Sequence, residues 1–133
     1  MPRPKQEQPT PAELEILKVL WERSPLTVRE VMDQLNREPP ERAYTTVMSL
    51  MNIMTDKGLL KRQPQGRAFL YEPQSRREKT LGTMLNDLLG RAFAGSASTL
   101  VAQLLVEANP TPAELDEIRK AINDYQQQQP GAS

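Results

Sequence analysis

The 133-residue sequence contains neither cysteine nor histidine. The chain therefore has no disulfide, no thiolate or imidazole metal ligand and no histidine general base. Its six glycines are scattered along the chain, whereas a phosphate-binding loop requires them close together. Carboxylate chemistry stays open, but Glu13, Glu30 and Glu114 occupy positions typical of helix caps. We therefore expect no enzymatic activity, no metal site and no cofactor.

Long apolar runs are also missing, since none approaches the roughly 20 residues that a membrane helix needs. Residues 1–9 are polar and proline-rich, without the apolar segment of a signal peptide, and we expect them to be disordered. These absences predict a cytoplasmic protein with no membrane insertion. The formal net charge is zero. Because DNA affinity depends on neutralised phosphates, a DNA-binding role requires basic charge that is concentrated locally or doubled by dimerisation.

Helix start signals predict three helices in the N-terminal half. Thr10-Pro-Ala-Glu13 and Thr27-Val-Arg-Glu30 are capping boxes, each followed by apolar residues at helical spacing. Pro39-Pro40 breaks the second helix, and a third begins near Ala43 and stops at Gly58. A tight break between the second and third helices is typical of a helix-turn-helix.

A short basic hairpin is predicted after the third helix. Residues 59–63 and 67–72 have the pattern of two strands, joined at Pro64-Gln65-Gly66. Residues 57–79 contain seven Lys and Arg against Glu72 and Glu78, a local excess of +5. Such a cluster is often only a solvated surface, but its position beside the third helix favours phosphate binding. The N-terminal half is thus predicted to be a winged helix-turn-helix domain, residues 10–75.

The third helix has two different sides. Val47, Leu50, Met51 and Met54 recur at helical spacing and predict a buried side, while the opposite side carries short polar side chains that can reach base edges in a major groove. The alternative is that these are ordinary solvent-facing residues. We predict that polar residues of the third helix contact base edges and that the basic residues contact phosphates or the minor groove. The residues predicted to contact DNA are Arg42, Tyr44, Thr45, Thr46, Ser49, Asn52, Lys61, Arg62 and Arg67.

The C-terminal half contains three further apolar stripes at helical spacing. A domain of three helices in residues 76–125 is only marginally stable alone because it buries little surface, which predicts a homodimerisation domain. The alternative is that they fold back on the first domain in a monomer. Residues 126–133 are predicted to be a disordered tail. The predicted dimer contacts are Leu81, Leu85, Leu88, Leu89, Leu100, Val101, Leu104, Leu105, Ile118 and Ile122.

Several of these segments resemble the penicillinase-repressor family, which includes methicillin-resistance and copper-responsive repressors. The resemblance covers roughly residues 10–122. It implies a winged-helix domain, a helical dimerisation domain and repression of a neighbouring operon from a palindromic operator. The alternative function is a winged-helix adaptor that binds protein. The segments that carry the resemblance are Leu14–Trp21, Thr27–Val31, Ala43–Met48, Lys57–Leu59, Gly66–Tyr71 with Pro73, and Phe93–Ser96.

Three departures from the family pattern modify these expectations. The resemblance leads us to expect a basic residue, commonly Arg, where this chain has Ile53. In antibiotic-responsive members a membrane sensor-protease system is implied as a partner, with cleavage at an Asn-Phe bond. The aligned candidate cleavage site is Gln103-Leu104, which we expect to be a poor substrate. The copper-responsive members use cysteines, so the same copper chemistry is excluded here.

Overall fold

The computed structural model describes residues 8–129. The predicted fold class, mainly helical with one small hairpin, is confirmed. The chain forms two compact units that divide between Asn86 and Asp87, later than the boundary at 75/76 drawn from the sequence. The elements in chain order are α1 (Pro11–Glu22), α2 (Val28–Leu35), α3 (Tyr44–Asp56), β1 (Leu60–Gln65), β2 (Ala68–Pro73), α4 (Arg77–Phe93), α5 (Ala97–Ala108) and α6 (Pro112–Gln127).

Both predicted N-terminal capping boxes are confirmed. The Thr10 hydroxyl accepts from the Glu13 N–H at 3.2 Å, and the Thr10 N–H donates to the Glu13 carboxylate at 2.9 Å. Thr27 and Glu30 make the same reciprocal pair with the same two distances. Each box satisfies N–H groups that the first turn of a helix leaves without a partner. The starts of α1 and α2 are therefore set by local sequence.

The turn between α2 and α3 is held by a side chain, because α3 has no side-chain cap of its own. Ala43 occupies the N-cap position without a side-chain hydrogen bond. Instead, the Asn36 amide donates to the Arg42 carbonyl at 3.0 Å and accepts from the Arg42 N–H at 2.8 Å. This amide clamp fixes the backbone immediately before α3. It determines where α3 begins relative to α2.

The hydrophobic core of the first unit is formed by α1, α2, α3 and the base of the hairpin. The predicted apolar side of α3 is confirmed at Val47, Met51 and Met54, which are buried, while Leu50 is half-buried against the same core. Tyr71 of β2 exchanges two backbone hydrogen bonds with Leu26, at 2.8 and 3.0 Å, which ties the hairpin to the segment before α2. The buried hydrophobic residues are Ile16, Leu17, Leu20, Leu26, Val28, Val31, Val47, Met51, Met54, Leu59, Leu60 and Tyr71.

The hairpin turn is tighter than the sequence suggested. Pro64 and Gln65, predicted to be in the turn, belong to β1, and Gln65 pairs with Ala68 across a two-residue loop. The prediction was wrong because a strand that pairs on one side only tolerates proline. Gly66 has φ +61° at the first loop position, where a glycine suits a tight hairpin turn. Gly58 has φ +84° after α3, as expected for a left-handed helix cap.

The second unit contains α5, α6 and the end of α4. None of its described residues, 87–129, is buried. Asn109 ends α5 in the left-handed conformation. α6 continues through Gln127, so residues 126 and 127, which were predicted to belong to the disordered tail, are helical instead. The helix can extend this far because no helix-breaking residue precedes Pro130. Of the segments predicted to be disordered, residues 1–7 and 130–133 lie outside the described residues.

No single helix within residues 8–129 is long and apolar enough to cross a membrane. α4 and α5 taken together meet the criteria of length and composition, but they are bent by 98° at the break between them.

Candidate nucleic-acid interface

The polar side of α3 is exposed, as the spacing predicted. Thr45, Thr46, Ser49 and Asn52 all lie on the surface, opposite the buried Val47, Met51 and Met54. Three larger side chains share this exposed region of α3, namely Tyr44, Met48 and Ile53, which are 41%, 37% and 47% exposed. The exposed surface of α3 thus combines hydroxyl and amide groups with apolar groups.

The hairpin is bonded to α3 through Asn52. Arg62 of β1 donates from Nη1 to the Asn52 Oδ1 at 3.0 Å, and the Tyr71 hydroxyl lies 3.4 Å from the same oxygen. The Arg62 guanidinium also lies 4.3 Å from the centre of the Phe69 ring, a cation–π distance. The sequence had suggested Asn52 and Arg62 as independent contacts. The structure joins them.

The other basic residues of the hairpin are exposed. Lys61 lies 3.7 Å from Glu72 across the two strands, a pair open to solvent. Arg67 occupies the loop beside Gly66 and is exposed. Lys61, Arg62 and Arg67, which we call the basic wing, therefore present positive charge next to the exposed side of α3.

Arg42, in contrast, is engaged within the first unit. Its Nη1 donates to the Leu35 carbonyl at 2.6 Å and to the Glu38 carbonyl at 3.3 Å. Its Nη2 lies 3.2 and 3.3 Å from the two Glu15 carboxylate oxygens. The expectation of a phosphate contact did not include these partners. They connect α1, the end of α2 and the start of α3.

Arg29 has a position that the sequence analysis did not single out. Its guanidinium lies 5.6 Å from the centre of the Tyr44 ring, and Arg29 itself is exposed on α2. Arg29 lies inside the capping box Thr27–Glu30 and inside the segment Thr27–Val31 that carries the family resemblance, but neither signal predicted a position beside the start of α3. Arg29 adds a positive charge at the start of α3.

An ion pair with a buried carboxylate joins the first turn of α1 to the end of α3. Lys57, at the C-cap of α3, donates from Nζ to the two Glu13 carboxylate oxygens at 2.8 and 3.1 Å. Burial raises the pKa of Glu13, but the hydrogen bonds from Lys57 and Thr10 and the charge of Lys57 outweigh it. The pKa of Glu13 is therefore held below its ordinary value.

The predicted dimer contacts are exposed or half-buried in the single chain. In the first unit Leu81 is half-buried and Leu85 is exposed. In the second unit the exposed members are Leu88, Val101, Leu104 and Ile122, and the half-buried members are Leu89, Leu100, Leu105 and Ile118.

The candidate cleavage site Gln103-Leu104 lies in the middle of α5, with both residues exposed, and the Gln103 amide donates to Glu107 at 2.9 Å. Within residues 8–129, no group of three His, Cys, Asp or Glu side chains is arranged to hold a metal ion.

Three helices with a tight turn between the second and third, followed by a hairpin fixed to the core, define a winged helix-turn-helix domain. The penicillinase repressor family matches residues 9–124, and the chain belongs to that family. It is 24% identical over 114 residues to the penicillinase repressor of Bacillus licheniformis, covering 86% of this chain and 88% of that protein. It is 29% identical over 109 residues to the transcriptional regulator BlaI of Mycobacterium tuberculosis, covering 80% and 77%. The solution structure of the DNA-binding domain of the repressor BlaI covers 55% of this chain and 88% of its own, with 30% identity and a TM-score of 0.49.

Proposed function

We propose that this protein is a transcriptional repressor that binds an operator in double-stranded DNA and acts by binding alone, in the cytoplasm, without catalysis. The observation that carries the proposal is the combination of an exposed polar row on α3 with a basic wing bonded to the same helix. A helix of this kind fits a major groove, and the wing supplies charge for the phosphates. Membership of a family of repressors supports the same role.

We divide the nine predicted DNA contacts into three groups. We assign base edges to Tyr44, Thr45, Thr46, Ser49 and Asn52, and phosphates to the basic wing. Arg42 is assigned a positioning role instead, because its guanidinium already has three partners in the first unit. In this assignment Arg42 acts with the Asn36 amide clamp to set the orientation of α3.

We further propose that the repressor is a homodimer on a palindromic operator, with the apolar residues of α4, α5 and α6 at the interface. Leu104 and Ile122 are each 51% exposed in the single chain. Exposed leucine and isoleucine on successive helices are costly in water and favour pairing with a second copy. Pairing also doubles the basic wing of a chain whose net charge is zero, which strengthens phosphate binding.

A winged-helix adaptor that binds protein is the second candidate, and exposed Met48 and Ile53 on α3 are the observation in its favour. Ile53 also stands where a basic residue is expected from the family. Exposed apolar side chains are common in protein–protein interfaces, although they can also pack against the methyl group of thymine.

A salt-titrated binding assay tests the proposal and separates the two candidates. The probe is duplex DNA from upstream of the protein's own gene, with a scrambled duplex for comparison. Phosphate contacts should give a log–log slope of about −0.9 per contact, and several contacts are expected from a paired wing. The matched control is Arg119→Ala, which removes one charge from an exposed pair with Asp116 on α6 and should leave the slope unchanged. Absence of binding to either duplex would favour the adaptor.

A further inference from the structure

The side-chain oxygen of Asn52 is already in use inside the protein. It accepts from Arg62 at 3.0 Å and lies 3.4 Å from the Tyr71 hydroxyl. A guanidinium has five donors and no acceptor. The bond to Arg62 therefore fixes which end of the Asn52 amide is which, with the oxygen directed to the hairpin.

The groups that hold this oxygen are themselves held. The Arg62 guanidinium lies 4.3 Å from the Phe69 ring centre. The Tyr71 side chain is 2% exposed, and its backbone is bonded to Leu26 in both directions. Hydrogen bonds from a charged donor are about twice as strong as those between neutral groups. The arrangement is thus built before any nucleic acid arrives.

Two N–H donors of the Asn52 amide remain, and they have no hydrogen-bond partner among residues 8–129. Pairing with adenine requires a donor for N7 and an acceptor for the N6 amine. Guanine offers two acceptors, N7 and O6, on the same edge. A side chain that offers only donors can bond to both acceptors of guanine. Against adenine, one of its N–H groups faces the N6 amine, which is also a donor, and no hydrogen bond forms there.

We propose that Asn52 reads DNA as a donor only and selects guanine over adenine, with Arg62 as the positioning residue that sets this preference. The proposal rests on the proposed DNA-binding function and names the base that one side chain of that surface selects.

Single-atom changes in the DNA test the proposal. The probe is the tightest duplex selected by the intact protein from a randomised pool. Each guanine is replaced in turn by 7-deazaguanine, which lacks the N7 acceptor, and each adenine by purine, which lacks the N6 amine. For the wild-type protein we expect about a tenfold loss at one guanine of each half-site. Asn52→Ala and Asn52→Asp, which lack the amide donors, should bind more weakly and show no further loss at that guanine.

The variants Arg62→Ala and Lys61→Ala each remove one positive charge, and comparing them tests the positioning role of Arg62. Arg62→Ala removes the charged donor from the Asn52 oxygen and leaves only the Tyr71 hydroxyl at 3.4 Å. The oxygen can then accept from adenine, so the guanine-to-adenine preference at that position should fall severalfold. Lys61→Ala removes a neighbouring charge that pairs with Glu72. It should weaken binding to the guanine duplex and to the adenine duplex alike, and so leave the preference for guanine unchanged. Trp21 fluorescence during urea unfolding verifies that each variant is folded.

The outcomes separate this inference from the proposed function. A loss on replacing adenine by purine that disappears in Asn52→Ala would overturn the proposal, because the oxygen would then accept from adenine. The same holds if no modified base shows a dependence on Asn52, or if Lys61→Ala and Arg62→Ala change the preference equally. If the wild-type protein selects no duplex at all, the proposed function itself fails.

Discussion

Replacing Lys57 by methionine removes the ammonium group that lies 2.8 and 3.1 Å from the Glu13 carboxylate oxygens, while keeping an apolar stem. The Glu13 side chain is only 3% exposed. Its carboxylate keeps one other donor among residues 8–129, the Thr10 N–H at 2.9 Å. Removing one partner of a buried ion pair costs about 3 to 5 kcal/mol. Protonation of Glu13 limits this cost, because protonating a carboxyl group of ordinary pKa at pH 7 requires a free energy of about 3.5 kcal/mol. We therefore expect the free energy of unfolding to fall by about 3 to 3.5 kcal/mol.

The dependence of this loss on pH provides a second check. In the wild-type protein the pKa of Glu13 is lowered, so the pair stabilises the fold above the unfolded-state pKa and loses that effect as pH falls through the folded-state pKa. Without Lys57 we expect burial to dominate and raise the pKa of Glu13 above its unfolded value. The penalty then disappears as pH falls. The difference in stability between wild type and Lys57→Met should shrink from pH 7 to pH 4.

Urea unfolding followed by Trp21 fluorescence measures both effects. Trp21 is the only tryptophan, and its indole N–H donates to the Ser75 carbonyl at 3.0 Å, so it reports on the first unit. Lys61→Met is the matched control, because Lys61 and Glu72 have side chains 57% and 39% exposed. Exposed pairs contribute about 0 to 1 kcal/mol. The reasoning fails if Lys57→Met costs no more than Lys61→Met, or if its cost grows as pH falls.

Three further variants test the assignments of the interface and the dimer. Leu104→Asp should place a charge among the exposed apolar residues of α5 and yield monomers in sedimentation velocity. The control Ala102→Asp lies outside that apolar stripe and should leave the protein dimeric. A dimeric Leu104→Asp protein would exclude this interface. Arg67→Ala should weaken binding to all DNA sequences alike and reduce the salt slope by about one, and a loss confined to one sequence would argue for base contact instead. Arg42→Ala should lower the free energy of unfolding by about 1 to 2 kcal/mol without changing the slope, and a slope reduced by one would restore Arg42 as a phosphate ligand.

The parts of the fold that follow from neighbouring residues were predictable. A capping box depends on two residues three positions apart, so Thr10 with Glu13 and Thr27 with Glu30 identified the starts of α1 and α2. The buried side of α3 depends only on helical spacing. The family resemblance read from the motifs also agrees with the family match.

The contacts that define the candidate interface were not predictable in the same way. Asn52 and Arg62 are 10 residues apart, and Glu13 and Lys57 are 44 apart. Whether such side chains meet depends on how α3 packs against the hairpin and α1. The sequence places Asn52 on the polar side of α3, Glu13 in a capping box, and Lys57 and Arg62 in the basic segment 57–79. It does not show which of these side chains meet. The wing turn was missed for a related reason, because proline at Pro64 indicates a turn unless the strand lies at an edge.

The uneven distribution of buried residues has a consequence for regulation. Among residues 8–129, every buried side chain lies between Glu13 and Tyr71. If the second unit is stabilised by pairing, as proposed, then assembly contributes to its folding, and the amount of complete repressor depends on chain concentration. While most chains are single, the dimer concentration varies with the square of the chain concentration, so a twofold drop in synthesis reduces it about fourfold. A gene under this control would respond steeply to the rate at which its repressor is made and degraded.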